Sequence, residues 1–201
     1  MADPQSDAAS ASPKDTTPVP RLALRDGALA LAALSLWAAA DTWYASTGLA
    51  LAGLVAVLDG VLVGAGLGIL AHEWGHFAGA RLGGGIAPTA RLTQLFPMFV
   101  FDMERSDPRA FCAMSVAGNA AHWGLVLALA LLVPLDSPGR AALLAGAFGF
   151  AFGASTTELP VIRRAYAGAS PIESFEGVSR DSLRRDRWIG IAAGLVLFLV
   201  L

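Results

Sequence analysis

The stretch ILAHEWGHFAGA, residues 69–80, sets His72, Glu73 and His76 inside a segment otherwise fit for lipid. Ionisable groups are costly in an apolar helix and mark function by default. Residues four apart share one helical face, so in His72-Glu73-Trp74-Gly75-His76, an HExxH pattern, both imidazoles can bind one metal ion from adjacent turns. Glu73 then lies beside the metal, where it can deprotonate a bound water. Zinc lowers the pKa of such a water towards ~7 and readies it to attack a peptide carbonyl.

The surrounding chain explains why that segment reads as lipid-facing. Of 201 residues, 55% are hydrophobic and 15% charged, and the mean hydropathy is +0.59. A soluble domain of this length needs more polar surface, so an all-α polytopic membrane protein is expected. Apolar runs at 22–43, 47–82, 108–134, 140–159 and 188–201 give about five transmembrane helices, the last one short. The 47–82 run is too long for one straight span, and Asp59-Gly60 offers a break, with Asp59 as cap of an HExxH helix over about 59–82. Residues 83–108, rich in Gly and Pro with short Leu, Phe and Val runs, read as β or irregular structure. Residues 1–20 read as a disordered cytoplasmic tail, and 21–201 as one membrane-embedded domain. The formal charge of −2 and the lack of a basic, aromatic-studded stripe argue against nucleic acid as a partner. The lone Cys112 reads as a small buried hydrophobe.

Orientation follows from the basic residues. With the tail cytoplasmic and 47–82 counted as one crossing, Lys14 and twelve arginines fall on the inner side, and Arg140 alone on the outer side. That places His72 and His76 near the cytoplasmic face of a cell membrane. Arginine far exceeding lysine, with abundant alanine, suggests a bacterial source.

LGILAHEWGHFAGARLGG, residues 67–84, resembles the active-site helix of the site-2 protease family of intramembrane zinc metalloproteases, and a weaker likeness extends over about 59–160. The resemblance implies a zinc endopeptidase that cuts a transmembrane segment of another membrane protein. His72 and His76 would be zinc ligands and Glu73 the general base. The family's Gly-Pro-x-x-Asn is replaced here by GNAAH: Gly118 is matched, Asn119 stands for proline and His122 for asparagine. The Asp-Gly pair that supplies the family's third ligand has no counterpart in STTELPVIRRAYAGASPIESFEG, residues 155–177. Three residues can replace it, in this order. Glu158 lies ~7 Å along a helix from Arg163, matching the depth of His76 from Arg81. His122 is the only other histidine. Glu176-Gly177 mimics the missing pair but sits in a polar segment. All of His72, His76, His122 and Glu158 together would make a closed, structural site. A catalytically inactive membrane metal protein or adaptor is therefore the alternative function.

Overall fold

The computed structural model describes residues 16–201, which form six helices: α1 (Val19–Thr47), α2 (Ala50–Leu82), α3 (Pro108–Leu132), α4 (Pro138–Tyr166), the single turn α5 (Pro171–Ser174) and α6 (Arg180–Val200). Local chemistry sets most of these boundaries. Asp107 caps α3 by accepting from Arg109 N at 2.7 Å, and Ser137 caps α4 by accepting from Arg140 N at 3.2 Å. In both, proline holds the first helical position, where its missing N–H costs nothing. Helix α1 stops at Gly48, whose left-handed φ of 63° suits glycine.

Helices α1 to α4 are long and apolar enough to cross a membrane, four candidate spans among the described residues. The fifth expected span starts earlier than its apolar run. A reciprocal cap between Ser179 and Ser182 begins α6 at Arg180, so its first two turns carry Arg184, Arg185, Asp186 and Arg187. The expected break at Asp59-Gly60 is absent, and α2 runs unbroken for 33 residues. Packing outweighs the ~1 kcal/mol that a mid-helix glycine costs: Gly60 lies against the backbone of Gly139 and Leu143 in α4. Helix α4 likewise continues past 159, through Pro160, because Val161 and Ala165 beyond it are buried.

Helix α2 is the centre of the bundle. One half packs on α4, through Gly60 and Gly64. The other packs on α3, where a Cβ at Gly75 would come within 2.5 Å of the Ala117 carbonyl oxygen. Helix α1 lies antiparallel to α2, with Tyr44 near Gly53 and Asp26 near Trp74. The ends of α2 and α4 and the starts of α1, α3 and α6 therefore share one end of the molecule.

The 83–107 segment covers that end. Ala90 N donates to Met98 O, Val100 N to Pro88 O and Asp102 N to Ile86 O, at 2.8–3.0 Å. Only one isolated bridge results, Thr89 to Phe99, with no strand among the described residues. Met98, Phe99 and Phe101 are buried with Phe77, Phe111 and Val161, so the segment is part of the core rather than a loose connector. The expected tail lies outside the described residues for 1–15. Residues 16–18 belong to the folded part: Thr17 is buried, its N–H donates to Ala90 O, and its carbonyl accepts from Thr89 Oγ1.

At the opposite end Asp41 sits inside α1. It is 4% exposed and accepts from Arg140 Nε at 2.9 Å and from Ser137 Oγ. Arg140 also binds Asp136 at 2.7 Å.

Candidate metal centre

Three side chains converge where α2 meets α4. His72 Nε2 and His76 Nε2 are 3.1 Å apart, and each is 3.0 Å from Glu158 Oε1. The helical spacing of the histidines produces the first edge of this triangle. Glu158, the first of the three expected candidates, supplies the other two. His72, His76 and Glu158 could hold a metal ion.

The hydrogen atoms around the triangle can be assigned from partners whose chemistry leaves no choice. His76 Nδ1 faces the Met114 carbonyl oxygen at 2.9 Å, so Nδ1 carries the hydrogen and Nε2 a lone pair. Trp123 Nε1 can only donate, and does so to Ser155 Oγ at 2.9 Å. Asn119 must turn its amide N–H towards Glu158 Oε2, because its carbonyl there would face another acceptor. Its Oδ1 then takes the Ser155 hydroxyl hydrogen at 3.0 Å. Ser155, its hydrogen spent, can only accept from His122 Nε2 across a longer 3.4 Å contact. His122 Nδ1 is thereby an acceptor for His72 Nδ1–H at 3.0 Å, and His72 Nε2 is left with a lone pair.

Two nitrogen lone pairs and a carboxylate oxygen thus meet with no hydrogen of their own between them. One added proton satisfies a single edge of the triangle; a divalent cation satisfies all three corners. The edges are within a few tenths of an ångström of the ~3.3 Å expected for a tetrahedral site with ~2.0–2.1 Å bonds. The donor set and its geometry therefore fit a small divalent metal ion held by three protein ligands, with an open fourth position.

Gly118 makes this arrangement possible. A Cβ on it would overlap the His76 ring, so only glycine lets the imidazole lie flat on α3 and reach Met114 O. The other expected residues fall elsewhere. His122 is fully buried but outside the donor group, with both ring nitrogens turned to other partners. Glu176 is exposed in the turn after α5 and is likewise outside it. Glu73, part-buried, uses Oε2 to accept the Met98 backbone N–H at 3.1 Å. The covering segment therefore sits directly on the prospective base.

Three supporting roles were not foreseen in the sequence reading. Asn119 and Ser155 carry the hydrogen-bond chain; the spacings Asn119-His122-Trp123 and Ser155-Glu158 put each set on one helical face, which was the available signal. Asp26, buried in α1, accepts from Trp74 Nε1 at 3.0 Å and from Arg25 Nε at 2.7 Å. Arg25 reaches on to the carbonyls of Leu92 and Gln94, fastening α1 and the covering segment together beside the site. The role of the Met114 carbonyl leaves no side-chain trace at all.

No match was found for this chain among protein-family models, curated proteins or solved structures.

Proposed function

We propose that the protein is a membrane-embedded zinc endopeptidase of site-2-protease type, acting on a transmembrane segment of another membrane protein. The observation that carries the reading is the position of Glu158 Oε1, 3.0 Å from both imidazole Nε2 atoms of an HExxH helix. His72, His76 and Glu158 would hold the ion. Bound there, zinc supplies a Lewis acid that acidifies water and polarises a carbonyl. Glu73 is placed by sequence to take the proton from water and pass it to the leaving amine. Its Oε2 accepts the Met98 N–H, which leaves Oε1 to act as the base. The 86–102 region, with its ladder-like pairing, offers an extended substrate a surface to join as an added strand. The donor set alone also suits iron(II); the adjacent glutamate favours hydrolysis and zinc. In this reading the basic end of the bundle faces a bacterial cytoplasm.

A second reading, a non-proteolytic metal protein or adaptor, is favoured by the engagement of Glu73 with Met98. One experiment separates the two. Zinc content is measured on detergent-purified protein, and cleavage of a transmembrane reporter is compared for wild type and Glu73→Gln. The peptidase reading expects stoichiometric zinc in both and a rate about 10²–10⁴-fold lower in the variant. Stoichiometric zinc with no cleavage by wild type, across reporters with unwound and helical segments, supports the adaptor instead.

A further inference from the structure

We propose that His122 is a positioning residue: from behind, it holds His72 in the one tautomer that turns a lone pair towards the metal. The inference rests on the metal reading above and adds a role to a residue that the donor triangle excludes. His122 and His72 meet Nδ1 to Nδ1 at 3.0 Å, with ring planes 25° apart. Only one of these nitrogens can carry the hydrogen. Were it on His122, His72 Nδ1 would be the acceptor, and its Nε2 would point a hydrogen at His76 and Glu158. The ion would then lose a ligand.

The choice is made two links away, by Asn119, whose amide N–H must face Glu158 Oε2 and whose Oδ1 therefore takes the Ser155 hydrogen. The Trp123 indole N–H fills one of the two acceptor positions of Ser155 and leaves the other. What remains for His122 Nε2 is an acceptor, so the hydrogen of His122 settles on Nε2. The same serine, through Asn119, also orients Glu158. One chain of hydrogen bonds, ordered at Asn119, therefore braces two of the three donors at once. His122 sits at its turning point with no exposed surface. Its companions on the chain are supplied by α3 and α4 at helical spacings, so the brace is as rigid as the contact between those helices.

The test uses full-length apo-protein in detergent. Zinc affinity is read by chelator competition, the donor set by the visible spectrum of bound cobalt(II), and folding by apo-protein melting. His122→Ala removes the acceptor. His122→Asn keeps an oxygen able to accept near the Nδ1 position. The alanine variant should weaken zinc binding about 10–100-fold, the usual effect of losing an outer partner of a ligating histidine. The asparagine variant should recover most of that loss, and both should keep the wild-type cobalt spectrum. Equal losses in the two variants overturn the proposal, as does undiminished affinity in His122→Ala. A cobalt spectrum reporting a missing nitrogen donor also overturns it, because His122 would then be a ligand. If His122→Ala does not fold, Ser155→Ala tests the chain one link further back. Weaker zinc binding at unchanged apo-protein melting supports the brace, and unchanged binding overturns it. Wild-type protein that binds neither zinc nor cobalt overturns the metal reading, and this inference with it. Metal-binding wild type with failed variants overturns the His122 role alone.

Discussion

Two carboxylates are set among helices at opposite ends of the bundle, and their company differs. Asp41 has its own cation, Arg140, and a hydroxyl donor, Ser137, in direct contact. Glu158 has two imidazoles turned towards it lone pair first, and an amide that satisfies only its other oxygen. A sunken carboxylate with a resident cation is a fastener between helices. One that meets further acceptors is half of a binding site, because its countercharge must come from outside. The difference explains why two carboxylates lodged between helices call for different readings.

The sharpest way to break the comparison is Glu158→Gln. Zinc retention should fall by more than the about 10–100-fold of an outer-shell loss, read by elemental analysis after chelator treatment. Gly118→Ala comes next, since the new methyl must displace the His76 ring. Overpacking of this kind costs about 1–3 kcal/mol; weakened zinc binding, with a smaller fall in apo-protein melting, is the expected pattern. Asp41→Asn addresses the fastener. Arg140 remains 32% exposed and keeps Asp136, so the loss should stay below the about 3–5 kcal/mol of a fully buried pair. Melting should drop while zinc binding is untouched; a fall in zinc affinity would show that the two ends are coupled.

The smallest effect extends the comparison to a carboxylate outside the helices. Asp102, in the covering segment, is held below its ordinary pKa, first by the Arg105 backbone N–H and then by the Arg105 side chain. Its contribution is therefore present above the ordinary aspartate range and lost as pH falls through the lowered value. Protection of the Arg105 amide, measured against its intrinsic exchange rate at each pH, should fall in that acid window, and Asp102→Asn should remove the pH dependence of the protection.

The donors were legible in the sequence to different degrees. His72 and His76 announce themselves by spacing. Glu158 could be ranked first because Arg163 fixed its depth at that of His76. The brace behind them was not legible, since Asn119, Ser155 and Trp123 acquire meaning only once α3 and α4 are side by side. Asp59 misled, and Asp41 showed no sign of its role, for a shared reason. Local rules place aspartate at caps and interfaces, whereas here close glycine contacts continue one helix and an arginine from another stabilises the buried charge. The covering segment read as β or irregular because its Leu and Phe runs favour strands; what forms is one bridge resting on an aromatic core.

The unbroken α2 has a further consequence. Its 33 residues measure about 50 Å, against a hydrocarbon layer of about 30 Å. In a bilayer the helix must lean or project. His76 stands six residues from its end, about 9 Å along the axis. Membrane thickness thus becomes a setting of the site: a thinner bilayer leaves the donor triangle among headgroups and water, and a thicker one draws it into oil.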